Sequence, residues 1–417
     1  MVRVEDKKDC CGCSACVQRC PKQCISLYED EEGFLYPKVD VATCIDCGLC
    51  EKVCPVLNQS EERVPLEIYA AKNPNEEIRR ESSSGGIFTL LAEQTIDAGG
   101  VVFGVRWNEH FEAIHDYTET KEGLAAFRGS KYVQSRVGDT FRQVEQFLKQ
   151  GRQVLYSGVP CQVAGLRKFL KKAYENLLTV DIICHGCPSP GVFRWYMSEQ
   201  ILKIRYGAIS KSRLQQLPLI QVPSIDVVAR KNGIQIQQIN FRDKSTGWKS
   251  YSFQLYYRTL DSGETRTYFS VADKNPYMCG FLRDLYLRPS CYACPAKVGK
   301  SGSDITLGDF WGIQNLMPEI DDDRGISAVL VNTSKGKESL LSINMEVYNA
   351  AYESLCTNNP ALIVACRVPT DRKEFFAINV NGFHACIKKL CGVSLVQRIK
   401  SKIRRVVYKF YDLLRTI

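Results

Sequence analysis

The chain is short of the residues that most enzyme classes and membrane proteins lean on. Its 417 residues include four histidines, five methionines and four tryptophans. No stretch approaches the roughly 18 uninterrupted apolar residues of a membrane-spanning helix. The first residues, Met-Val-Arg-Val-Glu-Asp-Lys-Lys-Asp, are charged and lack an apolar core, so no export signal is expected. No Ser/His/Asp triad and no paired-carboxylate spacing is visible, and of His110, His115, His185 and His384 only His185 falls near other chemistry-bearing residues. No repeat of solenoid length occurs. Most of the net charge of +9 sits at one end: Lys388 to Ile417 carries nine bases against Asp412 alone, a local +8. The remaining body is close to neutral, which gives no footprint for nucleic acid.

What the chain has is cysteine, twenty in all. The first run reads Cys10-Cys11-Gly12-Cys13-Ser14-Ala15-Cys16-Val17-Gln18-Arg19-Cys20-Pro21. The second reads Cys44-Ile45-Asp46-Cys47-Gly48-Leu49-Cys50-Glu51-Lys52-Val53-Cys54-Pro55. Both have the spacing C-x2-C-x2-C-x3-C-P of bacterial ferredoxins that hold cubane iron–sulfur clusters. Three thiolates two residues apart wrap one face of a cubane, and the fourth leads away to the neighbouring cluster. One [4Fe-4S] cluster is therefore assigned to Cys10, Cys13, Cys16 and Cys54, and the other to Cys44, Cys47, Cys50 and Cys20. Zinc sites use pairs of C-x2-C over a longer spacer, and disulfides suit small secreted domains, so both fit less well. Cys11 and Cys24 lie off the pattern and read as spectators. A chain that keeps this many thiols reduced is expected in the cytosol.

Length and ordinary composition, 45% apolar and 24% charged, allow two or three domains. Residues 25–43 alternate apolar and polar around a Gly turn and predict a hairpin between the cysteine runs. Asn58 to Pro65 reads as a linker. A strand at Ile68 leads through a charged loop to Ser82-Ser83-Ser84-Gly85-Gly86 and a helical period from Ile87 to Ile96, then a strand from Val101 to Trp107. The serines and glycines thus feed a helix N-terminus, where free N–H groups and the helix dipole favour a phosphate, although such runs also make ordinary N-caps. A second unit follows: strand Gln153 to Ser157, the turn Gly158-Val159-Pro160-Cys161-Gln162, and a helix from Val163 to Leu170. Leu177 to Ile183 then delivers Cys184-His185-Gly186 at a strand's C-terminal end, where α/β folds place their chemistry. Ile225–Ala229, Ile234–Arg242, Tyr251–Arg258 and Thr265–Phe269 alternate in period two and predict an antiparallel insertion. A helix near Pro276 to Leu287 leads to Cys291-Tyr292-Ala293-Cys294, and Asp304 to Leu307 forms another strand. Leu395 to Ile417 fits one basic amphipathic helix, packed on its own body or resting on an anionic membrane surface.

With these motifs in order, the chain resembles the beta subunits of coenzyme F420 hydrogenase and dehydrogenase, joined to a two-cluster ferredoxin domain. The residues carrying the resemblance are Ser82 to Gly86, Gly129-Ser130-Lys131-Tyr132, Gly158 to Gln162, Cys184 to Gly186, Cys291 to Cys294, and Asp304-Ile305-Thr306-Leu307-Gly308-Asp309-Phe310-Trp311-Gly312, spread over residues 1–325. The resemblance implies a multidomain chain of α+β and α/β character. Residues 1–60 would form the ferredoxin domain, 66–145 and 150–330 the two parts of an FAD-binding α/β core, and 331–417 an extension ending in the basic helix. It implies FAD contacts from Ser82, Ser83, Ser84, Gly85, Gly86, Ser130, Lys131, Tyr132, Gly158 and Pro160. It also suggests a third cluster on Cys161, Cys184, Cys291 and Cys294, with zinc or plain buried thiols as rivals and with Cys187 and Cys279 as alternative thiols nearby. Cys356, Cys366, Cys386 and Cys391 lack ligand spacing and read as core.

The expectation is an iron–sulfur flavoprotein oxidoreductase that passes electrons between its clusters and FAD to a small-molecule acceptor, a deazaflavin or another. His185 is a candidate proton donor. The expected partners are a ferredoxin-like redox protein or a separate catalytic subunit, with peripheral membrane contact through the basic helix. The alternatives are an electron-transfer subunit without a substrate of its own, and an accessory protein of a surface polysaccharide or envelope pathway.

Overall fold

The computed structural model describes residues 1–207, 219–377 and 382–392. The expected amphipathic helix from Leu395 to Ile417, and the membrane contact tied to it, lie outside the described residues. Among those described, no helix is long and apolar enough to cross a membrane.

The N-terminal unit is small because its fold is dictated by cysteine loops rather than by a core. Helix α1 (Ala15–Arg19) and helix α2 (Leu49–Lys52) each follow one cysteine loop, and the hairpin β1 (Ile25–Glu29) and β2 (Leu35–Val39) separates them as expected. Beyond the linker, strand β3 (Glu67–Lys72), helix α3 (Glu76–Glu81), helix α4 (Ile87–Asp97), β4 (Val101–Trp107) and β5 (Ala113–Thr118) open the large domain. Helix α5 (Thr140–Lys149), β6 (Val154–Gly158), α6 (Pro160–Leu170), β7 (Leu177–Ile182) and α7 (Pro190–Tyr206) follow. Helix α8 (Ile225–Lys231) precedes a separate antiparallel sheet of β8 (Ile234–Asp243), β9 (Ser252–Thr259) and β10 (Thr265–Val271), after which comes α9 (Pro276–Phe281). Strands β11 (Ile305–Asp309), β12 (Ser327–Val331) and β13 (Glu346–Asn349) return to the large sheet.

That sheet has the order β13-β3-β12-β11-β7-β6-β4-β5. Strands β11, β7, β6 and β4 run parallel, and antiparallel strands close both sides. β3 and β11 both run antiparallel to β12, so β3 points the same way as the parallel strands. The loops after β3, β6, β7 and β11 therefore open on one edge of the sheet, the edge where α/β folds bind ligands. The sheet draws its strands from both expected parts of the core and from residues beyond 330.

The ferredoxin unit docks on the α5–α6 face. Cys11, Cys13, Ala15 and Val53 share one buried cluster with Phe141, Val163, Leu166 and Phe169. Gln18 Oε1 accepts the N–H of Phe141 at 2.9 Å, and Arg142 Nε donates to the Gln18 carbonyl at 2.7 Å. The approach is close enough that a Cβ on Gly165 would lie 2.8 Å from Cys13 Cβ.

Two expectations are corrected. Ile225–Ala229, expected as a strand, is the start of α8, because Ile225 and Ala229 form an i,i+4 apolar pair buried beside α7 and β8 while Arg230 pairs with Asp226 one turn earlier. The helix expected over Pro276 to Leu287 stops at Phe281, since Asp284 takes a left-handed φ of 60° and Leu285 N–H turns back to the Gly280 carbonyl.

Candidate metal centres and anion site

The two N-terminal loops have one backbone design. The residue two after the first cysteine (Gly12, φ 72°; Asp46, φ 48°) and the residue after the second (Ser14, φ 61°; Gly48, φ 68°) are all left-handed. This curls each loop so that its N–H groups turn inward, and Asp46 N–H lies 3.4 Å from Cys44 Sγ. The Val2 N–H donates to Cys50 Sγ at 3.2 Å. Ser14 and Gly48 cap α1 and α2, which carry Cys16 and Cys50 in their first turns and release Cys20 and Cys54 just past their ends. Burial, then the thiols of Cys10 and Cys54, holds the Cys16 thiol far above its ordinary pKa, so these sulfurs crowd together. Cys20, Cys24, Cys44, Cys47 and Cys50 line a second cavity. Cys54 lies beside Cys10 and Cys16 of the first loop, and Cys20 lines the cavity of the second. Cys24 is no distant spectator, because its sulfur sits 3.3 Å from Cys20 Sγ.

A further set of thiols gathers at the ligand edge of the sheet. Cys161 opens α6, Cys184 and Cys187 follow β7, and Cys291 and Cys294 lie on and just after the short 3-10 turn Pro289–Ala293. All five line one cleft, together with Asp181, His185 and Lys297. The Cys187 N–H donates to Cys291 Sγ at 3.3 Å, and Lys297 Nζ donates to the Cys184 carbonyl at 2.8 Å. The Cys291 thiol is pulled down to about 7, chiefly by its contact with Cys187. The four cysteines implied by the resemblance thus line one cleft with Cys187 as a fifth thiol, while Cys279 packs elsewhere, its sulfur on the Asp273 carbonyl. Cys11 lies between the sets: contacts with Cys13 and Cys161 hold its thiol well below the ordinary value.

His185 also lines this cleft, but its Nε2 is engaged by Asp284 Oδ1 at 2.6 Å, and Cys366 Sγ donates to its carbonyl at 2.9 Å. Its ring meets Phe281 edge-on at 5.1 Å, and Phe281 lies 4.9 Å from the Tyr132 ring. Packed aromatic rings thus run from the cysteine cleft to Tyr132 of the Gly129–Tyr132 segment.

In that loop the serine hydroxyls serve the protein first. Ser82 Oγ donates to the Ile78 carbonyl at 2.7 Å and Ser84 Oγ to the Ile326 carbonyl at 2.8 Å. Ser83 Oγ accepts the Ser130 N–H at 2.6 Å, which ties the two expected anion loops together. Gly86 (φ 83°) caps α4 without a side-chain cap hydrogen bond, the arrangement in which a helix start can accept an anion. Lys131 Nζ donates to the carbonyls of Arg128 and Gly129, at 3.3 and 3.2 Å. No carboxylate pairs with it among the described residues, and burial pushes it down to about 7. Gly158 ends β6 and Pro160 begins α6, with the Val159 N–H donating to Gln162 Oε1 at 3.2 Å.

Sequence reading missed the supports of this loop. Arg242 is buried, forks onto Asp309 at 2.8 and 3.1 Å, and donates to Tyr132 Oη at 3.1 Å and the Ser83 carbonyl at 3.1 Å. Trp248 Nε1 donates to Asp309 at 2.8 Å, and its ring stacks on Trp311 at 4.9 Å. Lys244 Nζ is held by three carbonyls, those of Arg79, Ser84 and Arg324, and burial pushes it down to about 7. The Arg242–Asp309 pair is a buried ion pair whose breakage leaves a bare charge. Asp309→Asn is expected to cost about 3 kcal/mol or more of stability, read as a lowered midpoint in anaerobic denaturant titration.

Comparison with known proteins agrees with the arrangement. The family model described as 4Fe-4S dicluster domain matches residues 9–58. The N-terminal and C-terminal models of coenzyme F420 hydrogenase/dehydrogenase, beta subunit, match residues 68–141 and 151–352. The chain is 25% identical over 212 residues to the F subunit of the F(420)H(2) dehydrogenase of Methanosarcina mazei, covering 48% of this chain and 60% of that protein. It is 26% identical over 191 residues to the coenzyme F420-dependent sulfite reductase of Methanocaldococcus jannaschii, covering 44% of this chain and 29% of that protein. The front of the chain is 46% identical over 63 residues to a 7Fe ferredoxin of Hydrogenibacillus schlegelii, covering 14% of this chain and 74% of that protein. The chain thus spans less than two thirds of the two longer relatives. Its three matched segments run in order along the sequence, and on them the chain belongs to the family of coenzyme F420 hydrogenase/dehydrogenase beta subunits, which are oxidoreductase components, with a 4Fe-4S dicluster domain at its front.

Proposed function

We propose that the protein is an iron–sulfur flavoprotein oxidoreductase. Its N-terminal cysteine sets would hold two clusters and Cys161, Cys184, Cys291 and Cys294 a third, and the Ser82–Gly86 loop would seat an FAD able to serve a small-molecule acceptor. The observation that carries this reading is the position of Cys11, which is buried in one cluster with Cys13 of the first set, with Cys161 of the third packed against it. Two thiol sets that would each hold a cluster therefore abut, and packed rings lead from the third set to Tyr132.

In this reading Cys10, Cys13, Cys16 and Cys54 hold one cluster, Cys44, Cys47, Cys50 and Cys20 the second, and Cys161, Cys184, Cys291 and Cys294 the third. The donor chemistry fits: soft thiolates, inward N–H groups on the loops and a nearby ammonium at Lys297. Ser130, Tyr132, Gly158, Pro160 and the loop Ser82, Ser83, Ser84, Gly85 and Gly86 would hold the flavin, with the start of α4 and Lys131 available to its phosphates. When bound, the clusters carry single electrons and FAD collects them into pairs. The chain's own tasks are to seat these groups, to offset their charge with Lys131, and to keep water from the buried junction at Cys11. His185, engaged by Asp284, serves as a proton reservoir at the cleft. The acceptor class is a deazaflavin or a comparable small molecule, in keeping with the names of the relatives.

A second reading, an electron-transfer subunit serving a separate catalytic partner, is favoured by the exposure of Cys47, which leaves the second thiol set open to another protein. Anaerobic purification with cluster reconstitution tests the main reading. Bound FAD and about 12 irons per chain are expected; no flavin removes the flavoenzyme, and about 8 irons remove the third cluster.

A further inference from the structure

Arg288 is 1% exposed and forms no ion pair with a carboxylate among the described residues. A guanidinium buried in this way is costly unless an anion faces it. Its hydrogen bonds reach mainly to the first cysteine loop and its surroundings. Nε donates to the Cys10 carbonyl at 2.7 Å, Nη1 to Gln134 Oε1 at 2.9 Å, and Nη2 to the Leu35 carbonyl at 2.9 Å. Nη2 also lies 3.5 Å from Cys10 Sγ. The guanidinium sits 4.2 Å over the Tyr36 ring, which shields it from water. Its backbone is held by the other thiol set: Arg288 N–H donates to the Cys187 carbonyl at 2.9 Å, and Cys291 N–H to the Arg288 carbonyl at 2.8 Å. The cation thus stands between two groups of thiols and is matched by no acid.

The loop is shaped to admit it. At Gly12 a Cβ would lie 2.8 Å from Arg288 Nη1 and 2.8 Å from Gln134 Nε2. At the second loop the equivalent residue is Asp46, and the cation beside it, the N-terminal ammonium, is paired with Asp46 and Glu51. One loop of the tandem pair therefore faces a buried cation that no carboxylate among the described residues neutralises, and its sister a cation paired with acids.

We propose that Arg288 is a positioning residue that raises the reduction potential of the cluster held by Cys10, Cys13, Cys16 and Cys54, relative to its sister cluster. This makes that cluster the preferred resting place for the incoming electron beside the third thiol set. The inference rests on the cluster assignment proposed above. Reduction adds one negative charge to a cubane, and an adjacent buried cation stabilises the more negative form. The asymmetry gives electrons a direction through a domain whose two loops are otherwise alike.

EPR-monitored redox titration of the reconstituted full chain tests this, with iron per chain measured on each variant. In Arg288→Gln, one N-terminal cluster is expected to titrate at lower potential. At the wild-type midpoint its reduced-to-oxidised ratio falls at least tenfold, equivalent to about 59 mV for one electron, while the other cluster stays in place. Arg288→Lys keeps the charge and is expected within threefold of wild type. If Arg288→Gln loses iron, Gln134→Glu, which sets a carboxylate against the retained guanidinium, is expected to produce the same fall. Unmoved midpoints with both clusters assembled overturn this role alone, as does an equal shift of both clusters. A wild-type chain without cluster signals overturns both this role and the function it rests on.

Discussion

A Cys184→Ala, Cys294→Ala double variant is expected to reconstitute with about 8 irons per chain where the wild type holds about 12. The two positions come from different parts of the third set, one after β7 and one after the turn Pro289–Ala293, so neither loop alone is left with a full ligand set. Neither belongs to the N-terminal cysteine runs, so the N-terminal clusters serve as an internal control. The fifth thiol sharpens the experiment. Cys187 is already beside Cys291, so a Cys184→Ala single variant can recruit it and keep close to wild-type iron. Adding Cys187→Ala then lowers the iron to about 8. A zinc site gives a different pattern, with about 8 irons in the wild type and one zinc that the double variant releases. Metal analysis of the same samples separates the two.

Lys131→Met is expected to weaken FAD binding about ten- to a hundredfold below pH 7, because a charge-assisted hydrogen bond is worth about 1.5–3 kcal/mol. The pH profile is the more specific readout. In the flavin-free protein burial holds Lys131 at about 7, whereas a bound phosphate raises it. The wild-type affinity is therefore level below pH 7, where the ammonium is present in both states. Above pH 7 it falls by up to tenfold per pH unit, since binding must then take up a proton, until the raised pKa of the complex is passed. Lys131→Met is expected to lack this limb. Lys131→Arg keeps its charge across the whole range and is expected to retain affinity while also losing the pH dependence. Flavin fluorescence quenching at a series of pH values measures all three. A wild-type affinity that is flat from pH 6 to 9 contradicts the placement of the phosphate on Lys131.

What could be read from the sequence was what is written locally. The cysteine loops, the hairpin of residues 25–43, the strand–turn–helix at Cys161 and the long antiparallel strands after Ile234 each carry their signal within a few residues. The features that needed the fold are pairings across long stretches of chain. β12 and β13 join β3 only through sheet register, and no local period marks them as part of a sheet begun at Glu67. Arg242 reaches Asp309, 67 residues away, and Arg288 reaches Cys10, 278 residues away. Cys11 and Cys187 fell outside the ligand spacing and so read as a spectator and a rival, yet one lies at the junction of two thiol sets and the other inside the third. At Ile225–Ala229 a short alternation was outweighed by an i,i+4 apolar pair with a helix to pack against.

The most direct test of an electron path from clusters to flavin is an anaerobic reductive titration of the reconstituted chain, followed in the visible spectrum. About five electron equivalents per chain are expected, one for each of three cubanes and two for FAD, with flavin bleaching as electrons arrive through the clusters. Uptake of about two equivalents, with no flavin absorbance to bleach, contradicts it.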